Sequence, residues 1–137
     1  MSLEIRESSR EGVVILSLKG RLTVGEASAV REKVSAVAAA GSVNVVLNLE
    51  HVEYIDSTGL GALVICFTSL KKAGGALKLV NPNKRNLELL LVTQLHTVFE
   101  VFNEVQDAVD SFFPQRKPKH FDIFSLIKKA ARGAAEE

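Results

Sequence analysis

Cysteine is all but missing from this chain of 137 residues, which has one, Cys66, inside an apolar run. A disulfide framework is excluded, and so is any cysteine-based zinc site. No apolar run reaches the ~18 residues that a membrane span needs. The opening Met1-Ser2-Leu3-Glu4-Ile5-Arg6 lacks the basic-then-apolar order of a signal peptide. A reduced, cytoplasmic setting is the expectation. An excess of one charge is missing too: 17 Lys and Arg stand against 16 Asp and Glu, net +1. Whole-chain attraction to nucleic acid or to a membrane is therefore not indicated; no nucleic-acid partner and no direct membrane insertion are expected. Catalytic signatures are scarce. Gly59-Leu60-Gly61 is too sparse for a dinucleotide fingerprint, no P-loop lysine follows it, and no carboxylate cluster has metal-ligand spacing. No cofactor and no metal are expected.

What is present is an ordinary globular balance, 47% hydrophobic and 24% charged, in a chain long enough to bury a core without a staple. Charge is uneven along it. Residues 1–114 carry 11 basic and 13 acidic groups, net −2, and residues 115–137 carry 6 and 3, net +3. The change coincides with Pro114 and Pro118, which bracket Gln115-Arg116-Lys117 and read as a linker. The expected organisation is a domain over 1–113, a linker over 114–119 and a tail over 120–137.

Within the domain, strand and helix signals alternate. Leu3–Ser8 and the β-branched run from Val13 to Leu18 flank Glu11-Gly12 and predict a hairpin. Ala27, Val30, Val34, Val37 and Ala38 predict a helix over 25–40, stopped by Gly41. Val43–Leu49 predicts a buried strand. Glu50-His51-Val52-Glu53 reads as a bridge to a short strand, Tyr54-Ile55. A long apolar helix then runs to Ala73 and ends at Gly74-Gly75. Further elements are a strand over 76–80, a helix over 83–93, a strand over 98–102 and an amphipathic helix over 103–113. Strands alternating with helices predict an α/β fold, with a mostly parallel sheet covered by helices.

The sharpest local feature is Asp56-Ser57-Thr58-Gly59-Leu60-Gly61, where an apolar strand turns into an apolar helix. The plainest account is a helix cap, since Asp, Ser and Thr all accept from orphan N–H groups. The same junction also presents a hydroxyl where unpaired N–H groups and the positive dipole end favour an anion. A phosphate on Ser57 would change local charge strongly, beside Asp56 and near Glu50 and Glu53, while leaving the fold alone. A nucleophilic Ser57 fits poorly. A nucleophile elbow needs Gly two residues earlier, where Ile55 stands, and His51, His96 and His120 lie in no partner motif.

The stretch Val45-Val46-Leu47-Asn48-Leu49-Glu50-His51-Val52-Glu53-Tyr54-Ile55-Asp56-Ser57-Thr58-Gly59-Leu60-Gly61 closely resembles the signature of STAS domains, most of all the anti-sigma factor antagonists among them. The resemblance continues at Leu18-Lys19-Gly20-Arg21-Leu22, at Leu70–Gly75, at Leu79-Val80-Asn81-Pro82 and at Val98–Phe102, and so covers residues 2–113. It implies a single-layer mixed β-sheet with helices on one side. It implies a regulatory binding module, not an enzyme, that binds an anti-sigma factor which is also a serine kinase. By the same resemblance Ser57 is the phosphoacceptor, phosphorylation ends binding, and a PP2C-type phosphatase restores it. Asp56 matches the acidic residue before that serine and Thr58 the variable residue after it. Asp56, Thr58, Gly59, Leu60, Gly61 and Thr23 are the expected partner-binding residues, with Gly59 and Gly61 admitting close approach of partner backbone. Thr23 departs from the family pattern, which carries Asp after Gly-Arg-Leu. Thr23 is expected to cap the helix that follows.

In the tail, Phe121, Phe124, Ile127 and Ala131 fall on one helical stripe, with Lys128, Lys129 and Arg132 near its end. A C-terminal amphipathic helix is expected, docking on its own domain or a second copy of the chain, meeting a partner, or, with only three basic residues for an anchor, lying on a membrane surface. The basic tail also keeps a second reading open: a STAS accessory subunit of a membrane transporter or signalling complex, with no phosphorylation. Cys66, mid-helix among Val64, Ile65 and Phe67, is expected to be a buried small hydrophobe.

Overall fold

The computed structural model describes residues 3–121. Strand β1 (Glu4–Arg10) turns through Glu11-Gly12 into β2 (Val13–Leu22), and the two pair antiparallel as expected. Helix α1 (Ala27–Ala39) leads to β3 (Asn44–Ile55), α2 (Ser57–Lys72) to β4 (Ala76–Val80), and α3 (Lys84–Val92) with a short 3-10 turn (Leu95–Thr97) to β5 (Val101–Phe102). Helix α4 (Val105–Asp110) follows. The sheet order is β1-β2-β3-β4-β5, and every pair after the first is parallel.

That order explains the layers. Each crossover moves to the next strand in the same direction, and right-handed crossovers then put successive helices on one face. Val30 and Val34 of α1, Leu63 and Leu70 of α2, and Leu87 and Leu90 of α3 pack on Leu16, Leu47 and Leu79 of that face. The opposite face is not bare. Alternate residues Val13, Ile15, Val46, Val80 and Phe102 form a second cluster with Ala108 and Val109 of α4. The expectation of helices on one side is thus corrected: α4 folds back beneath the sheet, because the strands carry apolar residues in both phases and both faces need cover.

Other expectations are corrected in detail. Residues 50–53 are not a bridge: β3 is one strand of 12 residues, with Val52 and Ile55 buried. Beyond Asn48 it outruns β4, and the amides of Asn83 and Asn86 bond to the Val52 carbonyl along that free edge. β5 is shorter than 98–102, because Gln94 adopts a left-handed conformation and winds the chain into the 3-10 turn, leaving Val98 exposed. The last helix is shorter than 103–113 as well.

Residues 114–121 lie on the domain. Arg116 forks onto Glu11 (2.7 and 2.8 Å) and also reaches Asp110 (2.8 Å). Its guanidinium holds the Glu11 carboxyl below the usual range. His120 pairs antiparallel with Phe102, its ring 4.5 Å from the Phe102 ring, and the Phe121 N–H donates to the Val101 carbonyl (2.9 Å). The rest of the expected amphipathic tail lies outside the described residues.

Candidate functional site

The site grows out of the ends of β2 and β3. At Asp56 the chain leaves β3 in extended conformation and enters α2. The Asp56 carboxylate accepts from the Gly59 N–H through Oδ1 (2.8 Å) and from the Val24 N–H through Oδ2 (3.1 Å). Its own N–H donates to the Leu22 carbonyl (3.2 Å). One residue therefore caps α2 and pins the loop that follows β2. Charge-assisted bonds of this kind are about twice as strong as neutral ones.

Gly59 has a reason internal to the fold. A Cβ there would sit 2.1 Å from the Leu22 carbonyl oxygen, so only glycine lets the first turn of α2 close on the end of β2. Gly59 and Leu60 are buried, whereas Ser57, Thr58 and Gly61 face solvent. The sequence motif thus divides into an anchoring half and a presenting half. Thr23 is half-buried, and its hydroxyl donates to Glu26 (2.6 Å). The expectation that Thr23 caps α1 is corrected: its hydroxyl is taken up by Glu26, and no side chain caps the helix. The Thr23 carbonyl accepts from the Glu26 and Ala27 N–H groups instead.

Large aliphatic side chains stand exposed on this domain, and the sequence did not single them out. Val24 on the pinned loop, Ile65 on α2 and Val92 on α3 are 73%, 49% and 82% exposed. Val92 falls within the helix expected over 83–93. The available signal was that it falls out of phase with Leu87 and Leu90. Val24 lies beside Asp56 through its N–H, Val92 lines a depression together with Ser57, and Ile65 lies apart from them, over the seam of α1 and α2. Two concavities open at this end of the sheet, and Ser57 lines the smaller. One is a depression of about 270 Å³ between the start of α2 and α3, lined by Tyr54, Ser57, Arg85, Glu88 and Leu89 among others. The other is an open groove of about 940 Å³ along the outer ends of β2 and β3, with Glu26, Glu50, Glu53, Lys19 and Arg21 on its walls. No group of three metal-ligating side chains exists among the described residues. His51 is exposed beside Glu50, and His120 lies beside Glu100, so neither serves Ser57.

A rigid helix start that offers a hydroxyl amid exposed aliphatic side chains suits recognition, not turnover. The profile of the STAS domain matches residues 4–108. The chain belongs to the STAS domain family. This STAS chain is 33% identical over 109 residues to an anti-sigma-B factor antagonist of Bacillus subtilis, spanning 80% of this chain and 99% of that protein. A crystal structure from Thermotoga maritima, described as a candidate anti-sigma factor antagonist, superposes with a TM-score of 0.74 at 27% identity, covering 78% of this chain and 92% of that one. The Bacillus cell fate determinant SpoIIAA in its phosphorylated form superposes with a TM-score of 0.63, covering 80% and 99%. At 20% identity that last likeness concerns the fold alone. The mixed five-stranded sheet with its helices is the STAS fold.

Proposed function

We propose that this STAS chain is an anti-sigma factor antagonist working by partner switching. With Ser57 unmodified it binds an anti-sigma factor that is also a serine kinase. That kinase phosphorylates Ser57, and the complex separates. A PP2C-type phosphatase restores the binding form. The chain is a substrate and a binding module, not an enzyme, and acts in the cytoplasm.

The observation that carries this reading is the exposure of Ser57 in the first turn of α2, on a backbone fixed by Asp56, with exposed Val24 and Val92 nearby. An interface built there would desolvate Ser57 at its centre. A dianionic phosphate at that point disrupts by repulsion and by the cost of desolvation. Thr58 and Gly61 lie beside it on the presenting side, while Gly59, Leu60 and Thr23 shape the site from beneath.

The experiment is phosphopeptide mapping of the protein from its native cells, growing and stressed, together with a pull-down of the bound partner. Phosphate on Ser57 that changes with condition, and an ATP-binding kinase in the pull-down, support the switch. An unmodified Ser57 in every condition, with a transporter subunit as the captured partner, would replace the switch with the accessory-subunit reading.

A further inference from the structure

Arg85 stands on the opposite wall of the 270 Å³ depression that Ser57 lines. Its guanidinium lies 4.4 Å from the centroid of the Tyr54 ring. An aromatic face is a resting place for a cation, and Tyr54 lines the same depression as the serine. Among the described residues Arg85 has no ion-pair partner. The other charged groups of the depression are acidic. Glu88 lies three residues along α3, and Asp56 immediately precedes the serine. Glu53, at the end of β3, is matched by Arg21 at 3.5 Å. The Asp56 oxygens are committed to the Val24 and Gly59 N–H groups. An exposed serine thus shares a depression with one unmatched cation, and the other charged groups lining it, Asp56 and Glu88, are acidic.

We propose that Arg85 is the residue that receives a phosphate on Ser57. The guanidinium leaves the Tyr54 face and pairs with the phosphoryl oxygens, tying the start of α2 to α3. This rests on the reading of Ser57 as the phosphoacceptor. The planar fork of a guanidinium matches phosphate geometry, and the exchange trades a cation–π contact for a charge-assisted pair. The tie draws the modified side chain across the depression instead of outward. Phosphorylation then alters the exposed face of α3, at Leu89 and Val92, as well as that of α2. Arg85 is a positioning residue for the phosphate and takes no part in its transfer.

The test needs no kinase. Phosphoserine is incorporated at position 57 during translation of the full chain, and the phosphate is titrated by phosphorus NMR. Relative to the otherwise native phosphoprotein, Arg85→Ala is expected to raise the second ionisation of the phosphate by about half a unit, roughly a threefold gain in proton affinity. Arg85→Lys keeps part of the difference, because the charge stays while the fork is lost. The Tyr54 ring protons shift on phosphorylation in the native sequence and stay in place in Arg85→Ala. Arg85 is exposed, so unchanged amide spectra of the unmodified variants serve as the folding control. Superimposable phosphate titrations in the native and Arg85→Ala phosphoproteins would overturn the assignment. Failure of a captured kinase to modify Ser57 bears on the phosphoacceptor reading instead, and leaves the titration standing on its own.

Discussion

At the scale of single residues, the motif Asp56–Gly61 separates what builds the site from what it shows to others. Ser57→Ala is expected to leave stability within about 0.5 kcal/mol, since an exposed hydroxyl is removed, and to keep partner binding while abolishing release by the kinase. Ser57→Glu is expected to weaken binding by about 2–4 kcal/mol, roughly thirty-fold or more. Calorimetric titration against the cognate partner checks both, and undiminished affinity for Ser57→Glu would sink the switch. The anchoring half behaves differently. Gly59→Ala forces a Cβ against the Leu22 carbonyl and is expected to cost about 2–3 kcal/mol in urea unfolding. Asp56→Ala removes two accepted bonds and is expected to cost about 2 kcal/mol, with faster amide exchange at Val24. Burial and function are hard to tell apart in this motif from sequence. Gly59 and Gly61 look alike as letters, but only the first has a carbonyl where its side chain would be.

At the scale of elements, most of the chain was legible because period and punctuation agreed. α2 has an apolar run from Leu60 to Phe67 and stops just before Gly74-Gly75, and Gly75 proves to pack against the Val43 carbonyl, where a Cβ would come within 1.9 Å. The second half of β3 was not legible as strand. Glu50, His51 and Glu53 are exposed and polar, and only Tyr54-Ile55 read as strand. Nothing local announces that a strand will outrun its neighbour and be held from the side by Asn83 and Asn86. Residues 114–121 are a similar case. Their contacts with Glu11, Asp110, Phe102 and Val101 span up to 105 positions. A chain ending at Phe121 is expected to be more stable than one ending at Phe113 by about 1–3 kcal/mol, both melting cooperatively. Part of the difference is ionic and should shrink in salt. It should shrink again in acid: Glu11 ionises more readily folded than unfolded, so its contribution is present above the unfolded pKa and is lost as pH falls through the folded one. Equal melting temperatures for the two chains would show the segment to be energetically idle.

At the scale of the whole molecule, the sheet is buried on both faces, by α1, α2 and α3 above and by α4 below. Cys66 lies in the upper layer, and burial pushes its thiol up to about 11. The folded state therefore keeps the proton that the unfolded chain releases near pH 9. Stability is expected to fall as pH rises from about 9 towards 11, and a Cys66→Ala variant should lose that component while paying for a small cavity at neutral pH. Urea midpoints across the alkaline range test it, and parallel curves for the two proteins would discount the thiol. A different consequence follows from the sheet order β1-β2-β3-β4-β5, in which neighbours in the chain are neighbours in space. Synthesis proceeds from the N-terminus, so each new strand emerges to find an open edge waiting beside it, and no gap must be kept for a later arrival. The Asp56 contacts to Val24 and Gly59 involve nothing beyond the first 59 residues. The tip that offers Ser57 can be shaped while the ribosome is still making the edge strand.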